Sequence, residues 1–230
     1  MHPSGKHPGR HAFNWSIYDA GDAMIERHRP NLRGLLIDLG CGDRPYEAYL
    51  RQYCDQYIGI DWGSTQHTRV ADVLADLNEP LPVQDAVADT VISFSVMEHL
   101  REPSLFLREA ARIMRPGGKI ILQVPFMWRV HEAPHDFFRY TLYGLDYLFR
   151  GAGFVDVVVE PTTGFWTMWT VKLNYQVIRL INGPRPVRAV LRACLNAAFW
   201  INQHVAIWLD RVWPSSSEET AGYFTVARKP

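Results

Sequence analysis

Cysteine is scarce in this 230-residue chain: Cys41, Cys54 and Cys194 are the only three, and no two form a C-x-x-C pair. That argues against a disulfide framework or a thiolate metal site and fits a reducing compartment. An excess of one charge is also missing, since 24 Lys and Arg balance 24 Asp and Glu. The chain as a whole therefore lacks the basic character of a nucleic-acid binder, and no nucleic-acid partner is expected. Residues 1–10 carry His, Pro and Gly without an apolar run, so no secretory signal is expected and the cytoplasm is the expected location. The longest uncharged run, residues 193–209, contains Asn196, Asn202, Gln203 and His204; it is too short and too polar to predict a transmembrane helix. No internal repeat is found. What remains is an ordinary globular composition, long enough for one domain with an insertion.

Along the chain, short apolar runs alternate with helical patterns. Residues 1–12 are expected to be disordered and residues 14–28 helical, with Pro30 just past the end. Leu35-Leu36-Ile37-Asp38-Leu39 reads as a buried strand feeding the tight turn Gly40-Cys41-Gly42. Residues 46–53 suit a helix and Tyr57-Ile58-Gly59-Ile60-Asp61 a second strand, with a weaker third strand around 69–73. Residues 90–96 form a fourth. Residues 104–114 are predicted helical, with Ser104 as the candidate cap, and Pro116-Gly117-Gly118 stops that helix before a strand over 119–124. A helix over 141–150 and strands over 154–160 and 223–228 complete the pattern. Such alternation predicts an α/β fold, a Rossmann-like, mostly parallel sheet with helices on both faces.

The expected organisation is an N-terminal arm and helix (1–33), a Rossmann-like core (34–164), an inserted helical hairpin (165–213) and the core's final strand (214–230). The insertion holds five of the eight Trp and six basic residues (Lys172, Arg179, Arg185, Arg188, Arg192, Arg211) against Asp210 alone, a net of +5. Gly183-Pro184-Arg185-Pro186 divides it into two helices. Three readings of it stand open. It is a lid over the active site with its Trp residues in the core, a peripheral membrane-surface element with Trp and Arg at headgroup level, or a homodimer interface.

In a doubly wound sheet, ligands bind beyond the carboxyl ends of the strands where strand order reverses. Gly40 and Gly42 follow the first strand, where they would let a backbone approach a ligand. Asp61 ends the second strand, where a carboxylate accepts the hydroxyls of a ribose. A dinucleotide turn carries a third glycine and seats a pyrophosphate. This turn reads Gly40-Cys41-Gly42-Asp43-Arg44-Pro45, and Asp38 and Asp43 would repel a pyrophosphate while suiting a cationic aminopropyl group. A nicotinamide-dependent oxidoreductase is therefore the weaker reading.

These residues resemble the motifs of class I S-adenosylmethionine (SAM)-dependent methyltransferases, of the type 11-like kind. Asp38-Leu39-Gly40-Cys41-Gly42 looks like their first motif, Tyr57-Ile58-Gly59-Ile60-Asp61 like their acidic second-strand motif, and Asp76-Leu77-Asn78-Glu79-Pro80-Leu81-Pro82 like the loop facing the adenine amino group. Residues 90–100 resemble the fourth-strand motif, and residues 107–121 match the helix, turn and fifth strand that follow. The departure is Arg44, where many members have a further small residue. The resemblance covers roughly residues 34–160. It implies SAM as cofactor, with Gly40, Cys41 and Gly42 lining its methionine part and Asp38 orienting the amino group. It places Asp61 on the ribose, Trp62 packed on the adenine, Asp76 with Leu77 at its edge, and Ser95 beside the methyl donor; Asp72 offers an alternative register to Asp76. It also implies a seven-stranded sheet whose final strand is antiparallel.

The string His131-Glu132-Ala133-Pro134-His135-Asp136-Phe137-Phe138-Arg139-Tyr140 follows the fifth strand, on the expected substrate side. His131 and His135 are four apart, but Pro134 argues against a helix presenting both, and no third ligand is evident; no metal is expected. His135 is the candidate general base, with His99 the second choice. The string is also similar to a subgroup associated with cell-surface glycan synthesis. The expected reaction is methyl transfer to an oxygen or nitrogen of a small-molecule, glycan or lipid-linked acceptor, at the inner membrane surface if the hairpin binds lipid. The rivals are a non-catalytic SAM-binding scaffold and the oxidoreductase.

Overall fold

The short apolar runs become the strands of one sheet: β1 (Leu35–Leu39), β2 (Gln56–Asp61), β3 (Val73–Leu74), β4 (Ala88–Phe94), β5 (Met114–Pro125), β6 (Val155–Pro161) and β7 (Gly222–Arg228). The computed structural model describes residues 2–5, 7–62, 70–214 and 218–230. The spatial order is β3-β2-β1-β4-β5-β7-β6. β1 to β5 pair in parallel, and β7 lies antiparallel between β5 and β6. This is the expected seven-stranded Rossmann-like sheet. The weak third strand is only Val73–Leu74; Arg69, expected at its start, lies outside the described residues.

Alternation along the strands divides the core in two. Ile37, Leu39, Val91, Ile120 and Leu122 point to one face, against Phe106, Leu107 and Ile113 of α3 (Pro103–Ile113) and Leu145 and Phe149 of α4 (Leu142–Gly151). Leu36, Ile92, Ile121 and Phe224 point to the other, against Met24 and Ile25 of α1 (Trp15–His28) and Tyr49 and Leu50 of α2 (Glu47–Leu50). A side chain such as Phe149, fully enclosed, contributes about 1.5–3 kcal/mol through the area it removes from water.

Local chemistry sets the helix boundaries. α4 starts at Thr141, whose Oγ1 accepts from Gly144 N at 3.0 Å. α3 begins with Pro103 at its first position and Glu102 as cap residue, so Ser104 is not the cap. Proline supplies the helical φ without needing a hydrogen-bond acceptor there. α3 ends at Ile113, before Pro116 disfavours helical backbone at Arg115. α2 is a single turn rather than a helix over 46–53, because Asp55 N and Gln56 N must swing back to Gly34 O to start β2.

The described part of the N-terminal arm is not disordered. Ser4 donates from N and Oγ to buried Asp22 at 2.8 Å each, and Arg10 pairs with Asp19. The acceptors that tie the arm down sit on α1, which the arm's own composition does not reveal.

Between β6 and β7 stand α5 (Phe165–Leu180) and α6 (Arg185–Val212). Asp210 of α6 caps α5, accepting from Trp166 N and Thr167 N at 2.8 and 3.0 Å. Gln203, with no exposed surface, accepts from Ser16 N and Oγ and donates to Ala12 O and Phe199 O. Asn174 and Asn202 bond to each other, and Asn14 donates to Tyr175 Oη. A polar seam thus fastens the hairpin to α1 and the arm. The lid reading put the hairpin's Trp residues in the core, and the structure corrects this. Trp166, Trp169, Trp200, Trp208 and Trp213 are all exposed, because Asn174, Gln203, Phe199 and Ala206 take the inward positions.

Candidate active site

Strand order reverses between β1 and β4, which opens a crevice at their carboxyl ends. On one side the turn Gly40-Cys41-Gly42 leaves β1; on the other, Ser95-Val96 leaves β4. Gly40 N and Cys41 N both donate to Ile60 O, at 2.8 and 3.2 Å, and so anchor the turn to β2. Gly40 has φ +85°, and a Cβ there would stand 2.3 Å from Val96 Cγ2. The backbone and Val96 both call for glycine here. Gly42, at φ +51°, has nothing within 4 Å of its Cβ position, so the open space lies there. The Cys41 side chain packs under the turn, and burial beside Asp38 and Asp61 pushes its thiol up to about 12. Such burial disfavours the thiolate that a nucleophile needs.

Two carboxylates flank the turn, and a third lies beyond β3. Asp61 Oδ2 accepts from Gly42 N and Oδ1 from Trp62 N, both at 2.6 Å, so the end of β2 is locked to the turn. Asp38 is buried and accepts from Tyr57 Oη at 2.6 Å. Burial pushes its carboxyl up to about 7 despite that bond. Beyond β3, Asp76 Oδ1 accepts from Asn78 N and Nδ2 at 2.9 Å, with Leu77 buried beside it. The alternative, Asp72, is committed elsewhere. Its Oδ2 accepts from Gly59 N and meets Arg44 Nη2, each at 2.8 Å. Arg44 thus serves the β2–β3 junction, with its guanidinium 5.7 Å over the Tyr57 ring.

The far wall comes from the turn after β4 and the loop after β5. Ser95 is exposed, at φ +56°, with its N donating to Gln123 O at 2.8 Å. His135 is exposed, and its ring meets Trp62 edge-on at 5.5 Å between centroids. Phe137 N and Phe138 N donate to Glu98 O, and Tyr140 Oη to Met97 O, so the loop is sewn to the turn over residues 97–99. His99 Nδ1 lies 2.5 Å from His135 O. Arg139 grips Asp136 with Nη1 and Nη2, which holds the Asp136 carboxyl far below its usual range.

Residues 37–122 match a family model described as a methyltransferase domain. A protein of Mycobacterium tuberculosis, described as a probable S-adenosylmethionine-dependent methyltransferase, is 32% identical over 39% of this chain and 35% of its own length. Malonyl-[acyl-carrier protein] O-methyltransferase of Hahella chejuensis is 32% identical over 45% of this chain and 40% of its own. A SAM-dependent methyltransferase structure from Archaeoglobus fulgidus superposes with a TM-score of 0.59 at 18% identity, over 90% of this chain and 92% of that one; this likeness concerns the fold. Residues 37–122 thus resemble the methyltransferase domain of SAM-dependent methyltransferases. The chain spans about 35–40% of the length of the two relatives named.

The residues expected to hold cofactor (Asp38, Gly40, Cys41, Gly42, Asp61, Trp62, Asp76, Leu77 and Ser95) all lie at or just past the carboxyl ends of β1 to β4. Sequence reasoning missed Glu98. It is wholly buried, neither carboxylate oxygen has a hydrogen-bond partner among the described residues, and burial pushes it up to about 8. The signal was an acid between apolar Met97 and Leu100, beside His99. Nor do His131 and His135 form a pair: His131 turns inward toward Glu98, while His135 stays at the surface.

Proposed function

We propose that this chain transfers a methyl group from SAM to an oxygen or nitrogen of a small-molecule, glycan or lipid-linked acceptor. The observation that carries this is the crevice at the β1/β4 reversal, with Asp61 bonded to Gly42 N across the turn. Each Asp61 oxygen keeps a lone pair for a ribose hydroxyl. Exposed Trp62 offers apolar surface for an adenine, with Leu77 and Asp76 at its edge, and Asp76 Oδ2 has no hydrogen-bond partner among the described residues. Asp38, with Asp61 beside it, is poised to balance a cationic ammonium. The same acids would repel a pyrophosphate, so the set fits SAM and not a dinucleotide. SAM brings an already activated methyl on its sulfonium. What is left to the protein is alignment, exclusion of water and, for a hydroxyl acceptor, removal of a proton. His135 is the base candidate. It sits against Trp62, and its ring has no hydrogen-bond partner among the described residues.

The acceptor side is basic and aromatic. Trp128, Arg129, Lys172, Tyr175 and Arg179 line a small cleft between the loop after β5 and α5. None of them belongs to the glycine turn. Together with the exposed Trp residues of the +5 hairpin, this favours an anionic or lipid-linked acceptor met at a membrane surface. No helix among the described residues is long and apolar enough to cross a membrane, so contact would be peripheral.

Titration calorimetry tests the cofactor assignment. SAM binds the wild type, and Asp61→Ala weakens it by about 1.5–3 kcal/mol, the loss of a charged hydrogen-bonding partner. Wild-type affinity in that variant, or binding of NAD in place of SAM, overturns the assignment. A metabolite screen for acceptor-dependent S-adenosylhomocysteine release separates the enzyme from a scaffold that only binds SAM.

A further inference from the structure

Glu98, His99 and His131 meet where the turn after β4 touches the loop after β5. His99 Nε2 lies 3.6 Å and His131 Nε2 3.8 Å from the same Glu98 oxygen, Oε1. The three ligand atoms all lie within 4.8 Å of one another. The two imidazole rings stand 4.7 Å apart at 69°, so they converge on a point and do not stack. The His99 ring is oriented from its other nitrogen, whereas His131 Nδ1 is buried beside a carboxylate without a hydrogen bond. His99 Nδ1 is held by His135 O at 2.5 Å, and His131 Nδ1 faces Asp136 Oδ2 at 3.3 Å. Asp136 is itself fixed by Arg139 and by His131 N.

We propose that Glu98, His99 and His131 form a binding site for one divalent transition-metal ion of the zinc type. A carboxylate with no exposed surface and no hydrogen-bond partner is costly unless a cation meets it. Two Nε2 atoms face it, and the Nδ1 of His99 is held by a backbone carbonyl, as in the arrangement that orients metal-bound histidines. Ligands about 2.0–2.1 Å from a tetrahedral centre lie about 3.4 Å apart, close to the 3.6 and 3.8 Å seen here. Two imidazoles and one carboxylate suit zinc and its neighbours, whereas magnesium and calcium prefer all-oxygen sets. Water or another small ligand would complete the coordination. The expectation of no metal considered His131 only with His135. The other two ligands, Glu98 and His99, come from a turn about thirty residues earlier. The ion pins the loop bearing His135 against the turn after β4. None of the three ligands is among the residues expected to hold SAM, so SAM affinity and ion content can be scored separately.

The test uses the full chain without an affinity tag, stripped with EDTA and titrated with Zn²⁺ and with Co²⁺. The wild type is expected to retain close to one Zn²⁺ per chain after gel filtration, to melt higher with Zn²⁺ present, and to give the visible absorption of tetrahedral Co²⁺. His131→Ala and Glu98→Gln should weaken binding at least tenfold and abolish the cobalt band. If burial makes Glu98→Gln unstable, His99→Ala, at a less buried position, reports the same loss. His135→Ala and His204→Ala should retain the ion. Absence of uptake and of the cobalt band in the wild type overturns the proposal and leaves the cluster as a proton-sharing network. Equal binding by His131→Ala, His99→Ala and wild type also overturns it, because the ion would then sit on other histidines.

Discussion

Helices α3 and α4 turn Phe106, Leu107, Leu145 and Phe149 into the sheet until none is exposed, whereas α5 and α6 turn four Trp residues outward and bond to the arm and α1 through Asn174 and Gln203. The first region is cohesive through apolar area, which is insensitive to direction. The second is positioned by hydrogen bonds, which are modest in net energy but specific in geometry and costly to leave unmade. A region held this way keeps its apolar side chains free for something else. In the core the same side chains are used up by folding.

The comparison can be broken most severely at Phe149. Phe149→Ala should cost about 3–5 kcal/mol through lost transfer energy and a cavity between α4 and the sheet, read as a fall in denaturation midpoint of the whole chain. A loss under 1 kcal/mol would mean that the core is not the cohesive part. Gln203→Ala comes next. It strands Ser16 and the Ala12 carbonyl and should cost about 1–3 kcal/mol. Hydrogen exchange should quicken in α5, α6 and the arm before it quickens in β4 and β5; uniform quickening would show that seam and core unfold together.

Asp38 gives a smaller, pH-dependent effect. Its folded value of about 7 lies above the usual carboxylate range, so the native chain holds a proton that the unfolded chain releases. The associated stability is present at low pH and is lost as pH rises through about 7. Asp38→Asn should therefore gain thermal stability relative to wild type as pH goes from 5 to 8, and parallel melting curves across that range would count against a buried Asp38. Smallest in stability is the hairpin surface. Changing Trp200 and Trp208 to Ser should move stability by about 0.5 kcal/mol or less, yet abolish co-sedimentation with anionic vesicles. Each basic residue near such a surface is worth about 1 kcal/mol, so Arg185, Arg188 and Arg192 changed to Glu should do the same, and high salt should release the wild type. A wild type that stays in the supernatant at low salt leaves the hairpin as a contact between copies.

Much of the candidate site was readable because it is local. Gly40, Gly42, Asp61 and Asp76 each stand just past a strand, and an apolar run followed by a turn residue marks that position without tertiary information. The role of a residue was less readable than its place. Gly40 answers to Val96, more than fifty residues away, and Asp72 is withdrawn from the site by Gly59 and Arg44. The arm failed as a sequence reading for the same reason: Ser4 looks like a residue of a loose terminus until Asp22 is placed above it.

The sequence by itself determined the sheet, its helices, the reversal point and the acids at the strand ends, because hydrophobic period and strand-end chemistry act between neighbours along the chain. Only the tertiary structure decided that Glu98 is sealed from water with two imidazoles facing it, and that the hairpin's polar residues point inward while its tryptophans point out. Burial is a property of what packs over a residue. Glu98 is covered by the loop at 126–140 and Gln203 by the arm, and no local pattern in either segment specifies its distant partner.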